Sequence, residues 1–334
     1  MKVFVTGGAG YIGSTTCSAL RDAGHTPVVL DSLVNGRREF VRDGIFYEGD
    51  IADRALVERI FREHPDIACT IHFAALIVVP DSVARPYEYY RENVVKSLEL
   101  FHTLEELGCR RVLFSSSASI YGSVPTFVVR EDAPLAPSSP YARTKYMMEM
   151  MLEDLCRAGA LRGIALRYFN PIGADPQMRS GPYDPAPTHV LGKMMSAALG
   201  DIPEFQLTGD QWPTRDGTGL RDYLHVWDLA QAHVRAVERF DDAFAQAGGD
   251  YLAINLGTGN GVTVKELLAA FEDVYGRKIV THITPARPGD VAGACADATR
   301  AQELLGWQAQ YTIPQAIEHT LRWLRDVRPG LLGY

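Results

Sequence analysis

Tyr141 and Lys145 lie four residues apart in a segment, residues 141–156, that is rich in methionine, glutamate and leucine and contains no glycine or proline. This composition favours a helix, and residues at i and i+4 share one face, so a phenol and a lysine lie side by side. Just upstream, residues 111–115 are typical of a buried strand, and three serines stand at its end, at 115–117. Ligands of an open parallel sheet bind at that end of the strands. This combination predicts a site for proton and hydride transfer.

The spacing Tyr-x-x-x-Lys also occurs by chance in many helices, and a run of serines is more often a loop than an active site. The order of motifs along the chain favours chemistry. A glycine-rich turn comes first, then an acidic residue, then the serines, and then the Tyr141–Lys145 pair.

The glycine-rich turn follows a predicted first strand, residues 2–6, and leads into a predicted helix, residues 11–23. Gly7, Gly10 and Gly13 let the backbone turn sharply and approach a pyrophosphate at the helix N-terminus. A second predicted strand, 26–30, ends in Asp31, eighteen residues after Gly13. A carboxylate there accepts hydrogen bonds from the adenosine ribose and repels a 2′-phosphate, which predicts NAD rather than NADP. The alternative is a solvated turn residue.

Composition excludes several classes of protein. The net charge of −8 argues against a nucleic-acid binder. The five cysteines are scattered and form no Cys-x-x-Cys pair, and the nine histidines have no metal-ligand spacing, so neither a disulfide framework nor a metal site is expected. No apolar run has the ~20 residues of a membrane helix, and the N-terminus does not resemble a signal peptide. We therefore expect a cytoplasmic protein without a metal.

Strand and helix patterns alternate through the first half of the chain. Helices are predicted at 53–64 and 87–107, strands at 69–73 and 163–168, and a short strand that ends at Asp50 and Ile51. This alternation predicts an α/β fold with a Rossmann-type doubly wound parallel sheet. Five prolines between 171 and 187 indicate a boundary. We expect an NAD-binding domain at 1–170 and a smaller mixed α/β substrate lobe at 171–334, with later segments able to return to the first domain.

Three further stretches, 167–171, 221–226 and 287–290, complete the set of motifs. With them the chain, from residue 1 to about 323, resembles the UDP-galactose (UDP-hexose) 4-epimerase family of the extended short-chain dehydrogenase/reductases. The resemblance implies reversible 4-epimerisation of UDP-hexoses through a 4-keto intermediate, using bound NAD. It implies that Tyr141 transfers the proton, that Lys145 binds the nicotinamide ribose and lowers the pKa of the phenol, and that Ser117 hydrogen-bonds the reacting hydroxyl.

The same resemblance implies the binding residues. Contacts to NAD are expected from Gly7, Gly10, Tyr11, Ile12, Gly13, Asp31, Ser32, Leu33, Asn35, Gly36, Asp50, Ile51, Phe73, Ala74, Ala75, Lys145 and Tyr168. Contacts to the UDP-sugar are expected from Ser117, Tyr141, Asn170, Thr188, His189, Val190, Phe205, Gln206, Leu207, Arg221, Arg287, Asp290 and Ala294. Both arginines suit a diphosphate, although salt bridges between the lobes are the alternative.

Two implications concern specificity and assembly. Ala294 matches the position beside the 2-substituent of the sugar, where a small side chain leaves space for an acetamido group. Activity on UDP-GlcNAc and UDP-GalNAc is therefore expected beside that on UDP-glucose and UDP-galactose. A homodimer is expected through the helices near 89–107 and 141–156, because the second helix carries more apolar surface than one buried face needs.

Two residues depart from the family pattern, and other functions remain to be compared. Ile77 stands where a lysine is common, and Glu92 where asparagine or an apolar residue is common, so NAD retention is expected to rest on residues 10–13 and Lys145.

A 4,6-dehydratase needs an Asp-Glu pair where Ala118 and Ser119 stand. A 4-epimerase of a UDP-pentose or UDP-hexuronate stays open. A non-catalytic NAD-binding regulator is not expected to keep the Tyr–Lys pair.

Overall fold

The structure, a computed structural model, describes residues 1–41, 44–122, 124, 126–286 and 291–333. Its strands are β1 (Lys2–Thr6), β2 (Thr26–Asp31), β3 (Ile45–Glu48), β4 (Ile67–His72), β5 (Arg111–Ser117), β6 (Val128–Val129), β7 (Arg162–Tyr168), β8 (Asn170–Ile172), β9 (Phe205–Thr208), β10 (Leu220–Arg221), β11 (Tyr223–His225), β12 (Tyr251–Leu256), β13 (Val262–Thr263), β14 (Thr281–Thr284) and β15 (Gly293–Ala296).

The helices are α1 (Tyr11–Asp22), α2 (Arg54–Glu63), α3 (Val79–Ala84), α4 (Pro86–Tyr89), α5 (Lys96–Glu106), α6 (Pro140–Arg157), α7 (Val190–Leu199), α8 (Val226–Glu238), α9 (Phe240–Ala247), α10 (Val264–Tyr275), α11 (Thr299–Leu305), α12 (Ile313–Arg322) and α13 (Arg328–Leu332). Among the described residues, no helix combines the length and the apolar composition needed to cross a membrane. The histidine, cysteine and acidic side chains of the same residues form no group that could hold a metal ion.

A seven-stranded sheet organises the molecule, in the order β12-β7-β5-β4-β1-β2-β3. Every pairing in it is parallel. The strands are short runs rich in β-branched residues, such as KVFVT in β1, and are largely buried because helices cover both faces of a parallel sheet. One apolar cluster lies against α1, α8 and α11, and another against α2, α5 and α6. This confirms the predicted Rossmann-type α/β fold.

The last strand of the sheet comes from the second half of the chain. β12 pairs with β7 along its whole length, from Tyr251 with Gly163 to Leu256 with Tyr168. The remainder of the second half builds a separate apolar cluster around α7, α10 and α12. Small sheets border it, in the orders β13-β10-β15-β6, β11-β8 and β14-β9. The division at residue 170 stays a prediction, with β12 as a later segment that joins the first sheet.

One local expectation was wrong. Asp50 and Ile51 do not end a strand, because β3 stops at Glu48 and the Asp50 carboxylate accepts a hydrogen bond from Ala52 N at 2.9 Å, which closes a turn. The helix predicted at 87–107 is confirmed as a helical segment from Pro86 to Glu106. It contains a π-helical stretch, Tyr90–Val95, before α5.

Candidate active site

The glycine-rich turn is shaped by two close backbone approaches. Gly7 has a φ of +73°, and a Cβ there would lie 2.6 Å from Ala74 N. A Cβ on Gly13 would lie 2.2 Å from Gly7 O. Gly10 is the N-cap of α1, and its carbonyl accepts from Ser14 N at 2.9 Å. The first backbone amides of the 12-residue helix α1 therefore have no partner within the helix, and an anionic pyrophosphate binds favourably at such an N-terminus.

Asp31 lies beside this turn, at the end of β2. Its Oδ2 accepts from Ala9 N and its Oδ1 from Leu33 N, both at 2.9 Å. Burial raises the pKa of the carboxyl, and these two amides lower it. A Cβ on Gly36 would lie 2.8 Å from Asp31 Oδ1, so Gly36 is packed directly against the carboxylate. Each oxygen keeps a further lone pair, so the carboxylate can also accept from a ribose hydroxyl.

The other residues expected to contact NAD line the same edge of the sheet. Phe73, Ala74 and Ala75 follow β4, and Ser32, Leu33 and Asn35 follow β2. Ile12 lies in α1 and packs against the apolar core, and Ile51 is buried in the turn after β3. The hydroxyl of Tyr11 donates to Gly173 O at 2.6 Å, so it ties the turn to the segment after β8.

The two residues that depart from the family pattern lie on the surface near this edge. The ammonium of Lys96 contacts the carboxylates of both Glu92 and Asp50, so Glu92 forms part of an ion-pair cluster with a residue expected near the adenine. Ile77 is 59 % exposed. An apolar side chain there supplies no charge to a phosphate.

Tyr141, Ser117 and Tyr168 come together where β5 and β7 end and α6 begins. Ser139 caps α6, its Oγ accepting from Ala142 N at 3.2 Å, and Pro140 starts the helix, which fixes Tyr141 in the first turn. Burial raises the pKa of the Tyr141 phenol, and a hydrogen bond from Ser117 lowers it. Tyr168 hydrogen-bonds Ser115, and its pKa is raised by burial and by the nearby charge of ionised Tyr141.

Lys145 lies one turn further along α6 and is 1 % exposed. Its Nζ donates to Ser115 O at 2.7 Å and lies 5.1 Å from the centroid of the Phe114 ring. Burial lowers its pKa to about 7, and the charge of Glu149 opposes that shift. Burial therefore acts against the charged form of both groups, since it lowers the pKa of Lys145 and raises that of Tyr141. The expected effect of Lys145 on the pKa of the phenol stays a prediction.

The residues expected to contact the sugar nucleotide lie on the facing lobe. Arg221 and Ala294 are register partners in the parallel pair β10–β15. The guanidinium of Arg221 donates to Leu220 O at 2.7 Å and to Ala292 O at 3.3 Å, so the chain segment before Ala294 fixes its orientation. Ala294 packs against a small apolar cluster that includes Phe169 and Ala118, both adjacent to residues of the Tyr141 site. Arg287 and Asp290 lie outside the described residues.

The predicted uridine contacts are divided between surface and core. Thr188, His189 and Gln206 are exposed, as is Asn170 at the start of β8, whereas Val190 is half-buried. Phe205 and Leu207 are 1 % and 2 % exposed and belong to the lobe core. Alternate residues of a strand face opposite sides, so within 205–207 it is the Gln206 side chain that faces away from the lobe core. The sugar-nucleotide contacts expected of Phe205, Gln206 and Leu207 stay predictions.

A buried ion pair lies beneath the Tyr141 site. Glu149, one turn after Lys145, accepts from Arg167 Nη2 at 2.7 Å and Nε at 3.0 Å, and both side chains are at least 94 % buried. Ser116 and Tyr251 also donate to Glu149, and Arg167 donates to Tyr121 Oη at 3.0 Å. Sequence reasoning missed this pair because its partners are distant along the chain; the i+4 spacing of Glu149 from Lys145 is the one local signal.

Asp222 is a second buried acceptor that sequence reasoning missed. It is fully buried between Arg221 and Tyr223. Its Oδ1 accepts from Thr258 N at 2.9 Å and Thr258 Oγ1 at 2.6 Å, and its Oδ2 from Ala296 N at 3.0 Å and Gly259 N at 3.1 Å. The carboxylate therefore joins β15, which carries Ala294, to the loop after β12.

These features fit a dinucleotide and a hydroxylated substrate. Gly7 and Gly13 admit no Cβ without a clash, the turn leads into the N-terminus of α1, and the Asp31 carboxylate lies beside the turn. Tyr141, Ser117 and Lys145 supply a phenol, a hydroxyl and a buried amine about two strand spacings, or roughly 10 Å, from β1, since β4 alone lies between β5 and β1. The arrangement suits proton transfer to or from an alcohol next to a hydride acceptor.

Comparison with known proteins agrees with this chemistry. The NAD dependent epimerase/dehydratase family matches residues 3–257. A protein of Rhizobium leguminosarum bv. trifolii named UDP-glucose 4-epimerase is 44 % identical over 321 residues, which cover 96 % of each chain. A UDP-glucose-4-epimerase structure from Stenotrophomonas maltophila, with bound NAD and formylated UDP-arabinopyranose, superposes with a TM-score of 0.94 at 38 % identity, covering 99 % of each chain. A Bifidobacterium longum UDP-glucose 4-epimerase in complex with NAD⁺ and UDP gives 0.90 at 35 % identity, covering 98 % of this chain and 99 % of that one.

Proposed function

Because the chain belongs to the NAD-dependent epimerase/dehydratase family, we propose that it is an NAD-dependent enzyme that interconverts UDP-glucose and UDP-galactose. The reaction inverts the configuration at C4 of the hexose through a 4-keto intermediate. The observation that carries the proposal is the convergence of Tyr141, Ser117 and Lys145 at the carboxyl edge of a sheet whose glycine turn and Asp31 form a dinucleotide cradle.

When bound, NAD would supply a hydride acceptor and donor for C4 and a positive charge. Tyr141, as phenolate, would remove the proton of the 4-hydroxyl, which Ser117 would hydrogen-bond and orient. After inversion at C4 through the 4-keto sugar, Tyr141 would give the proton back to the C4 oxygen, so that no net oxidation occurs.

Burial disfavours the phenolate, because it raises the pKa of Tyr141. An ordinary tyrosine has a pKa near 10, so ionisation near neutrality requires a shift of roughly 3 units, or about 4 kcal/mol. Lys145 in its charged form and the positive charge of the cofactor favour the phenolate. The ammonium also holds the nicotinamide ribose in the proposed site.

The test is incubation with UDP-glucose or UDP-galactose without added NAD. We expect one equilibrium mixture from either sugar and no accumulation of NADH. Tyr141→Phe removes the base and is expected to lower kcat at least 1000-fold while NAD stays bound. Tyr146→Phe, on the same helix, is the matched control and keeps activity. Stoichiometric NADH, or a Tyr141→Phe enzyme within tenfold of the wild type, contradicts the mechanism.

We further propose that UDP-GlcNAc and UDP-GalNAc are substrates. This rests on Ala294, a small side chain that packs against the cluster containing Phe169, because an acetamido group needs space that a bulky side chain at this position would fill. UDP-pentoses and UDP-hexuronates form the alternative substrate class, and the same assay with those sugars decides between them.

We also propose that the protein works in the cytoplasm as a homodimer. All five cysteines are free and buried, as in reducing compartments. The helical stretch from α4 to α5 and the outer face of α6 expose Tyr87, Val95, Leu98, Met147 and Met150, while Met148 and Leu152 of α6 are buried. This apolar surface supports pairing through those helices.

Met150→Glu is expected to shift the mass measured by light scattering from dimer to monomer at micromolar concentration. Val280→Glu places the same charge on an apolar side chain outside these helices, 66 % exposed, and leaves the mass unchanged. A monomeric wild type contradicts the proposal.

A further inference from the structure

The ion pair of Glu149 with Arg167 is built into the elements that carry the proposed catalytic groups. Glu149 lies on α6, four residues after Lys145 and eight after Tyr141, so it shares their face of the helix. Ser116, which donates to Glu149, stands between Ser115 and Ser117 on β5. Arg167 precedes Tyr168 on β7. Tyr141 and Lys145 thus lie within about two helical turns of Glu149, and Ser117 lies one residue from its donor Ser116.

The pair is also closed off from solvent and held from several sides. Tyr251 donates to Glu149 Oε2 at 3.1 Å from β12. Tyr121, which accepts from Arg167, donates to Asn255 Oδ1 at 2.6 Å, and Arg167 donates to Glu131 O at 3.0 Å. Because all these donors are satisfied, the Glu149 carboxylate has a fixed position and its charge stays close to α6.

Few groups stabilise the charged form of Lys145. Its amine is buried, and its single hydrogen-bond acceptor among the described residues is the neutral carbonyl of Ser115. Burial favours the neutral amine, yet the proposed reaction needs the ammonium to favour the Tyr141 phenolate. Glu149 supplies the one negative charge that raises the pKa of Lys145.

We propose that Glu149, fixed in place by Arg167, is a positioning residue that keeps Lys145 in its charged form and so prepares the Tyr141–Lys145 pair for proton transfer. The inference rests on the proposed function for the role of Lys145. It adds to it a residue that touches neither substrate nor cofactor.

The other titratable groups that face this part of α6 stay neutral. His72 on β4 lies near Lys145, and burial lowers its pKa to about 3. Tyr168 on β7 and Tyr251 on β12 have pKa values raised by burial. On the opposite side of the helix, Thr144 contacts the uncharged amide of Asn93 from the π-helical stretch at 3.0 Å. Among these groups, Arg167 and Glu149 therefore carry the only charges besides Lys145.

The test compares Glu149→Gln, which removes the charge but keeps the shape, with Arg167→Lys, which keeps both charges but loses the forked contact. Tyr141 ionisation is followed by tyrosinate absorbance from acid to alkaline pH, as the difference from the same protein carrying Tyr141→Phe, with NAD bound. In Glu149→Gln we expect the midpoint to rise by about 1 pH unit, since a lysine that has lost its charge no longer favours the phenolate. We also expect kcat to fall about tenfold, with KM and the affinity for UDP unchanged.

In Arg167→Lys the midpoint stays where it is in the wild type. If the midpoint of Tyr141 ionisation does not move in Glu149→Gln, or moves equally in both variants, the inference is overturned and the Glu149–Arg167 pair has a structural role only. The absorbance measurement uses no substrate, so it stands even if the sugar nucleotide has been assigned wrongly. Should Glu149→Gln not fold, Glu149→Asp withdraws the charge by one methylene; a smaller rise of the midpoint is expected, and no rise contradicts the inference.

Discussion

Asp222→Asn probes how the substrate lobe is held to the sheet. The Asp222 carboxylate is the acceptor for four hydrogen bonds from Thr258, Gly259 and Ala296, and it is fully buried. An amide is nearly the same shape but replaces one accepting oxygen by an NH₂ group, which donates. Two of the four donors therefore face another donor.

The cheaper orientation turns the NH₂ group toward Thr258, because the hydroxyl of Thr258 can rotate to accept. The backbone N–H of Thr258 then stays unpaired, which costs about 1–3 kcal/mol for a buried group. The bonds to Gly259 and Ala296 lose their charge assistance, which adds about 1 kcal/mol. We expect the free energy of unfolding to fall by about 2–4 kcal/mol.

Urea denaturation followed by tryptophan fluorescence measures this difference. Asp184→Asn is the matched control, since Asp184 is exposed and accepts a single bond, from Ala186 N at 2.9 Å; we expect a change within about 0.5 kcal/mol. Ala296 N anchors β15, so the KM for the sugar nucleotide should also rise. Equal stability of the two variants would refute the reasoning.

Three other outcomes are expected. Gly13→Ala places a Cβ 2.2 Å from Gly7 O and should weaken NAD binding, measured by calorimetry, about tenfold or more, whereas Gly330→Ala meets nothing within 4 Å and should bind NAD normally. Burial lowers the pKa of His225 to about 3 and of His233 to about 4, whereas in the unfolded chain both histidines take up a proton below about pH 6.5. The free energy of unfolding should therefore fall as the pH drops from 6.5 toward 4, by up to about 1.4 kcal/mol per pH unit for each histidine. Constant stability between pH 7 and 5 would contradict this. Ala294→Tyr should lower kcat/KM for UDP-GlcNAc far more than for UDP-glucose, and an equal loss for both sugars would remove Ala294 as the determinant.

The elements that sequence could predict are those set by local pattern. The apolar run of β1, the glycine spacing before α1 and the helix-forming composition of α6 each depend on neighbours a few residues away. Asp31 could be placed because it ends β2. Where a side chain competed with the backbone, as Asp50 does after β3, the strand pattern gave the wrong end.

The polar contacts that sequence could not predict join residues far apart along the chain. The sequence around Glu149 does not indicate that its carboxylate accepts hydrogen bonds from Arg167, Ser116 and Tyr251. The burial of Lys145 and Tyr141, which acts against the charged form of both groups, likewise cannot be inferred from their four-residue spacing. The burial of Phe205 and Leu207 follows from the face that β9 turns to α7, and this face is decided by packing.

The position of β12 has a consequence for synthesis on the ribosome. Until residue 256 has emerged, β7 is an open edge, and the Tyr121 hydroxyl has no Asn255 amide to bind. About 90 residues separate the ends of β7 and β12, which corresponds to roughly 4–18 s of translation at 5–20 residues per second. During that interval the nascent chain presents an unpaired parallel strand to other nascent chains and to chaperones. A ribosome stalled within this interval would therefore release a product prone to aggregate, whereas one stalled after residue 256 would carry a completed sheet.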